Sequence, residues 1–200
     1  MKVFQIGISG VIAALALCFI PMTVSAATWR IDPDHTSIQF KVRHLMVSNV
    51  KGVFHKFDGT VDLDDKDITR SRASVTIDTN SVDTGVVKRD EDLRSGNFLD
   101  VAKFPTMTFV ARKVSRNGAD KIRVTGDLTI HGITREVVLE VDGPSSAVKD
   151  PWGGTRCGAT AVTKINRKDF GITWNKVMET GGLLIGDDVE ITLEVELVRK

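Results

Sequence analysis

Apolar and polar residues alternate at every second position along most of this chain, and this two-residue period restricts its fold more than any other feature. The clearest run alternates with glutamate and threonine, and its apolar members are Val189, Ile191, Leu193, Val195 and Leu197. Successive side chains of a β-strand point to opposite faces, so such a run predicts a strand with one apolar face. Similar runs recur at hairpin spacing and predict about eight antiparallel strands, an all-β fold.

Strands of this kind must hide their apolar face, either between two sheets or inside a closed barrel. The period alone does not choose between the two. An eight-stranded barrel has room inside for side chains or for one slender ligand, whereas a sandwich fills its middle. An outer-membrane barrel is disfavoured because it would carry aromatic girdles, and the sequence has no Tyr and only three Trp.

One charged stretch interrupts the strands. The sequence VVKRDEDLRS, around residues 86–95, predicts a short helical insertion that decorates the mouth of a barrel. Farther along the chain, His131-Gly132 lies between two alternating runs. A glycine there can adopt a positive φ, so the pair predicts a two-residue hairpin with His131 exposed to solvent at its tip.

The N-terminal residues 1–26 have the pattern of a cleaved secretory signal. Lys2 precedes an apolar run over residues 6–20, and small residues follow at 24–27. A membrane anchor is the alternative, but a span needs about 20 apolar residues and Pro21 ends this run. We therefore expect a single domain over residues 27–200 that is exported to the periplasm, without stable membrane insertion.

Charge and cysteine usage exclude several classes of function. Without Lys2, the 27 basic residues become 26 and balance the 26 acidic ones, so nucleic acid is not an expected partner. Loss of residues 1–26 also leaves Cys157 as the one cysteine, which rules out an internal disulfide and a multi-cysteine zinc site. Cys157 is predicted to be a small buried strand residue. A free thiol that joins two copies is the alternative.

Four groups of segments carry a resemblance to a known family. They are IDPDHTSI at 31–38 with KVRH at 41–44 and KFDGT at 56–60; KRD at 88–90 with LRS at 93–95 and KFP at 103–105; LTIHGIT at 128–134; and INRKDFGI at 165–172. Together they resemble the YceI-like family of bacterial periplasmic polyisoprenoid-binding proteins. The resemblance implies an elongated, lipocalin-like antiparallel barrel that encloses an apolar tunnel for a long isoprenoid tail. Many members have histidine where this chain has Asp92, so no histidine role carries over to that position.

Strand parity and the resemblance together select candidate ligand contacts. Candidates for the tunnel wall are Phe40, Val42, Phe57, Val75, Ile77, Phe109, Leu128, Ile130, Leu139, Ile191 and Leu193. Candidates for the head group are Arg43, His44, His55, Lys88, Arg89, Asp90 and Arg94. His44 and His55 share the apolar parity of their strands and are expected to face inward. Asp90 is expected to orient an arginine guanidinium.

Each set of candidates has a plainer alternative. The apolar residues can be ordinary packed core, and the two histidines can be structural. Arg89, Asp90 and Arg94 can simply fasten the helix to the barrel. The turn at 167–169 fits either a lid or a corner that packs Phe170 and Trp174.

Motifs for catalysis are missing from the sequence. It has no Gly-x-Ser-x-Gly elbow, no metal-type histidine spacing and no complete EF-hand after Asp62. We therefore predict a non-enzymatic periplasmic carrier of a polyprenyl phosphate or an isoprenoid quinone, with no cofactor or metal. The alternatives are a hydrolase or isomerase that uses His44, His55 and Asp90, and a structural stress protein without ligand. Two copies can also pair through strand edges or mouths, so a homodimer stays open.

Overall fold

The computed structural model describes residues 27–118, 121–179 and 181–199. The predicted signal at 1–26 therefore lies outside the described residues. The strands are β1 (Ala27–Ile31), β2 (Ser37–His44), β3 (Ser48–Phe54), β4 (Phe57–Leu63), β5 (Arg72–Asp78), β6 (Val82–Asp83), β7 (Thr106–Arg116), β8 (Lys121–Ile130), β9 (Ile133–Asp142), β10 (Val148–Lys149), β11 (Thr155–Asn166) and β12 (Ile185–Arg199). One α-helix, α1 (Val87–Arg94), follows β6, and 3-10 turns occupy Ile68–Arg70, Thr79–Ser81 and Arg167–Phe170.

The first six strand segments form three long bent strands. β1 and β2 make the first, β3 and β4 the second, and β5 and β6 the third. Between the first and second, β1 pairs with β4 and β2 pairs with β3. Between the second and third, β4 pairs with β5 and β3 pairs with β6. β7, β8, β9, β11 and β12 complete a ring of eight antiparallel strands. β12 closes it by pairing with β11 on one edge and with β1 and β2 on the other. The predicted eight-stranded all-β barrel is thus confirmed, and the sandwich is excluded.

Each of the three bends shifts the side-chain phase by one residue. Before the second bend Phe54 points into the barrel, and after it Phe57 does, so two residues separate inward positions instead of one. The same shift occurs between Ile31 and Ile38, and between Ile77 and Val82. A change of one residue moves every later side chain to the other face. The continuous parity that the sequence shows across such a break is therefore misleading.

The helical insertion and the tight hairpin lie where the sequence places them. α1 spans Val87–Arg94 within the predicted 86–95 stretch. β8 and β9 are joined by His131 and Gly132, with φ of 52° and 72°. His131, however, is half-buried rather than exposed, because its ring packs 4.5 Å from that of Phe104. Among the described residues no helix is long and apolar enough to cross a membrane.

Two apolar clusters fill different levels of the barrel. The larger one draws on most strands, α1 and the 167–174 corner. The smaller one lies around β1 and consists of Ala27, Trp29, Ile31, Cys157 and Leu197. Phe57 and Val75 pack against both clusters. Cys157 is a free, buried strand residue, as predicted. The smaller cluster therefore packs the end of the barrel around β1, which we call the lower end, and the larger cluster lies toward α1.

Candidate ligand-binding cavity

A cavity of about 950 Å³ opens within the larger cluster. Its strand-borne apolar wall consists of Ile38, Phe40, Val42, Val50, Phe54, Ile77, Val82, Met107, Phe109, Leu128, Ile130, Val137, Leu139, Ile165, Ile185, Val189, Ile191 and Leu193. Several of them, including Phe40, Leu139 and Ile191, are only half-buried although they face inward. Their side chains border the cavity instead of close-packed neighbours. A chamber of this size falls within the range of about 300–1,000 Å³ that is typical of small-molecule sites.

Charged side chains on the wall come from the end of β2, from α1 and from the 167–174 corner. They belong to Arg43, Lys88, Arg89, Glu91, Asp92 and Arg167, accompanied by His44. Within the described parts of the chain, Arg43, Lys88 and Arg89 form no ion pair with a carboxylate. An apolar chamber with unpaired cations at one end suits a ligand with an apolar body and an anionic or polar end.

Nine of the eleven tunnel candidates lie on the cavity wall. They are Phe40, Val42, Ile77, Phe109, Leu128, Ile130, Leu139, Ile191 and Leu193. Phe57 and Val75 do not reach it. Both point inward, but they sit on β4 and β5 at the boundary between the two clusters, so they lie just beneath the chamber. The expectation that these two line the tunnel is corrected.

Among the head-group candidates, Arg43, His44, Lys88 and Arg89 border the cavity, and His55 does not. The Nε2 atom of His55 lies 3.0 Å from Oδ2 of Asp83 on the outside of the barrel. Its side chain is 62% exposed. The inward orientation predicted for His55 is wrong, because His55 stands in the second bend, where the phase changes.

Asp90 and Arg94 fasten α1 to the barrel instead of meeting the cavity. The carboxylate of Asp90 is buried and accepts hydrogen bonds from the backbone N–H and the hydroxyl of Thr84, at 2.9 and 2.5 Å. Arg94 donates from Nε to the carbonyl of Asn80 and from Nη2 to that of Val82. The predicted hydrogen bond between Asp90 and a guanidinium is absent from these contacts, because the carboxylate accepts its hydrogen bonds from Thr84.

Arg89 has two roles in this arrangement. Its Nε donates to the hydroxyl of Thr84 and its Nη2 to the carbonyl of Thr84, at 2.7 and 2.9 Å. The side chain also borders the cavity. Thr84 is therefore the shared anchor of α1, and Arg89 holds its positive charge at the mouth in a fixed place.

Sequence reasoning missed Arg167 as a wall residue. Its guanidinium is buried and donates to the carbonyls of Gly186, Ile172 and Trp174 at 3.0, 2.7 and 2.9 Å, and to Asp187 at 3.2 Å. Burial lowers the pKa of Arg167, and the ion pair with Asp187 opposes that effect. Nothing in the residue pattern separates a buried arginine of this kind from the exposed Lys168 beside it.

The 167–174 segment is a packed corner. Phe170 is only 2% exposed, and the ring of Trp174 packs 5.4 Å from that of Phe98. Phe98 and Leu99, in the turn after α1, also line the cavity and were missed by sequence reasoning. They lie outside any alternating run, so strand parity carries no signal for them.

A separate charged cluster lies at the first bend. Ligand atoms of Asp32, His35 and Glu196 all lie within 4.8 Å of one another. Nη1 of Arg156 donates to both carboxylates, and its Nε donates to Asp150. A guanidinium held by both acids repels a metal cation there. This cluster is an ion-pair network that ties the bend to β11 and β12.

Comparison with known proteins gives one consistent result. The family model for the YceI-like domain matches residues 29–197. Protein YceI of Salmonella newport is 43% identical over 160 residues, which cover 79% of this chain and 83% of that relative. The crystal structure of the Campylobacter jejuni YceI protein is 32% identical, with a TM-score of 0.68 over 80% of this chain and 91% of that one. A Saccharophagus degradans structure described as a polyisoprenoid binding domain matches in fold, at 16% identity and a TM-score of 0.61 over 88% of this chain and 99% of that one.

Proposed function

Because this chain belongs to the YceI-like family, we propose that it is a non-enzymatic carrier of a long-chain isoprenoid lipid. The tail lies in the barrel cavity and the polar end lies at the mouth. The pattern of residues 1–26 supports export to the periplasm, where a carrier would shield the tail from water. The polyisoprenoid binding described for the Saccharophagus degradans domain agrees with this ligand class.

The observation that carries the proposal is the apolar chamber of about 950 Å³. Burying one methylene group contributes about 0.8 kcal/mol, so one five-carbon isoprene unit contributes about 4 kcal/mol before the costs of association. Association costs about 4–15 kcal/mol, so several buried units are needed for useful affinity. Cavity depth, rather than the energy per unit, then selects the length of the tail.

The mouth favours an anionic end. Arg43, Lys88 and Arg89 supply positive charge there, and a phosphate accepts charge-assisted hydrogen bonds from such groups. An isoprenoid quinone would use the donors of His44 and Arg89 without gaining from net charge. Of the two, we favour a polyprenyl phosphate.

The hydrolase or isomerase built on His44, His55 and Asp90 is not assembled in this fold. His55 points outward to Asp83, and the carboxylate of Asp90 is taken by Thr84. Only His44 of the three borders the cavity. The three side chains therefore do not converge on a common ligand.

Native mass spectrometry of protein purified from bacterial periplasm, followed by organic extraction, tests the proposal. We expect a stoichiometric isoprenoid lipid. Protein that is free of ligand and also fails to take up prenyl lipids supplied in detergent would contradict the carrier function. It would favour a structural stress protein instead.

Two variants on β12 sharpen this experiment. Ile191→Trp places a large ring in the cavity and should abolish lipid uptake, whereas Thr192→Trp places the same ring on the outer face and should leave uptake intact. Comparing a polyprenyl phosphate with the polyprenol of equal length tests the head group. Lys88→Gln should weaken binding of the phosphate and leave the alcohol unchanged.

A further inference from the structure

Exposed apolar side chains concentrate at the open end of the barrel. Of the twelve large hydrophobic residues exposed in the described parts of the chain, seven lie on three loops beside the cavity mouth: the β2–β3 turn, the loop that leads into the first residue of α1, and the segment before β12. We call these seven the apolar rim: Leu45, Met46, Val47, Val86, Val87, Trp174 and Val177. Val47, Val87 and Val177 are at least 70% exposed. Exposed apolar side chains gathered at one end of a barrel mark a candidate site of interaction.

Backbone contacts join two of the three loops into one edge. The N–H of Leu45 donates to the carbonyl of Leu184 at 2.8 Å, and the N–H of Leu184 donates to the carbonyl of Lys176 at 3.0 Å. Val86 on the third loop borders the same cavity as Trp174 and Leu184. All three loops of the rim therefore lie beside one end of the same cavity.

The tip of the β2–β3 turn combines an unfavourable backbone conformation with exposed apolar side chains. Leu45 and Met46 have φ of 52° and 60°, and the N–H of Val47 donates to the carbonyl of His44. A turn with positive φ at both central residues favours asparagine and glycine there, and the β8–β9 hairpin does place Gly132 at such a position. Leucine and methionine are strained in this conformation and are exposed to water as well.

Basic residues accompany each loop of the rim. Arg43 donates to the carbonyl of Met46, Lys88 follows Val87, and Lys176 precedes Val177. Arg89 adds a fourth cation, and among the described residues Arg43, Lys88 and Arg89 have no carboxylate partner, so their charges are available to an anionic surface. Lysine and arginine beside apolar side chains can reach anionic head groups while the apolar groups enter the acyl region.

We propose that the apolar rim docks on a membrane surface that contains anionic phospholipid. The inference rests on the proposed function, because it explains how a lipid passes between bilayer and cavity without crossing water. Docking at the mouth places the cavity entrance against the acyl region. The basic side chains then lie at the level of the head groups, where they keep the mouth of the barrel facing the membrane.

Vesicle co-sedimentation tests the docking. We compare vesicles of phosphatidylglycerol and phosphatidylcholine with vesicles of phosphatidylcholine alone. The variant Val47→Glu/Val177→Glu changes two exposed rim residues that do not line the cavity, so the fold and the cavity should persist. The matched control, Val148→Glu/Val162→Glu, changes two exposed valines on β10 and β11, away from the rim.

We expect wild type and control to sediment with the anionic vesicles and the rim variant to bind at least tenfold more weakly. Salt should weaken binding of the wild type. Polyprenyl phosphate supplied in detergent should load all three proteins equally, while uptake from vesicles should slow at least tenfold in the rim variant alone.

Other outcomes separate this inference from the carrier function. Wild type that loads lipid in detergent but does not bind vesicles would overturn the docking and leave the carrier intact. A dimer that the rim variant abolishes, together with no vesicle binding, would also overturn it and make the rim a contact between two copies. Rim-dependent vesicle binding by protein that takes up no lipid would support the docking and remove the carrier function.

Discussion

The ring of Phe40 on β2 lies directly over Gly52, its cross-strand partner on β3. A Cβ atom at position 52 would collide with Cζ of Phe40 and stand 2.9 Å from Cγ2 of Thr84. The same ring borders the cavity and packs 5.7 Å from Phe54. Gly52 therefore sets how deeply the Phe40 ring can withdraw from the chamber.

Gly52→Ala should narrow the cavity. The new methyl group displaces the Phe40 ring toward the chamber, so lipid binding should weaken several-fold while the barrel remains folded. Titration with a fluorescent prenyl lipid measures the first effect, and far-ultraviolet circular dichroism measures the second. Gly96→Ala is the control, because a Cβ atom at position 96 meets nothing within 4 Å. Equal binding by both variants would show that Phe40 does not limit the chamber.

Arg167→Met should destabilise the corner. It removes, from a buried position, the donor to three backbone carbonyls and to Asp187, and we expect a loss of about 3 kcal/mol in the free energy of unfolding, measured by urea denaturation. Lys168→Met removes the other cation that contacts Asp187, but Lys168 is exposed, so we expect a loss of less than about 1 kcal/mol. Similar losses in the two variants would contradict a special role for the buried guanidinium.

The ion-pair network at the first bend should make the stability of the fold depend on pH in the acid range. The hydrogen bond with His35 lowers the pKa of Asp32 from 3.8 to about 2, assisted by Arg156 and opposed by burial. The folded state therefore favours the charged carboxylate, and its contribution is present above pH 3.8 and is lost as pH falls through about 2. Asp32→Asn should flatten the decline of the melting temperature in this range.

The contact between Asp32 and His35 also makes stability fall as pH rises, through the imidazole of His35. The bond to Asp32 raises the pKa of His35 above 6.5, so the contribution of His35 is complete below pH 6.5 and is lost as pH rises through the raised pKa. Asp58→Asn is the control variant, since the ion pair of Asp58 with Arg30 is open to solvent. An Asp32→Asn profile parallel to that of the control would refute the assignment.

Cys157 should be unreactive in the folded protein. Burial raises the pKa of its thiol to about 11, and the residue is only 5% exposed. Because the thiolate is the reactive form, labelling by a thiol reagent at pH 8 should occur only after the protein unfolds, and urea should accelerate it. Val148→Cys supplies an exposed thiol for comparison. Rapid labelling of Cys157 in native protein, or a disulfide-linked dimer, would contradict this prediction.

Sequence reasoning found the face of a residue but not its height in the barrel. Parity placed nine residues on the cavity wall and correctly turned Phe57 and Val75 inward, yet these two lie below the chamber. A two-residue period repeats identically along the barrel axis, so it carries no information about level. The level is set by register, which depends on partners distant in sequence.

The residues at the mouth show a second limit of prediction from strand parity. Strand parity predicts that His55 faces inward, because its position shares the parity of Phe57, but the bend between Phe54 and Phe57 changes the phase. The helix at 87–94 was predictable from its run of charges, but the partner of Asp90 was not. Thr84, an inconspicuous hydroxyl before the helix, takes that carboxylate and anchors Arg89 too.

Closure of the barrel by β12 also sets when lipid can first be bound during synthesis. β12 pairs with β1 and β2, for example through Arg199 with Trp29, and it supplies Val189, Ile191 and Leu193 to the cavity wall. A nascent chain that has not yet reached this strand has two open sheet edges and no enclosed chamber. Joining these distant segments is a slow, late step of folding. Lipid loading must therefore follow the pairing of β12 with both edges, and a barrel without this strand cannot enclose a tail.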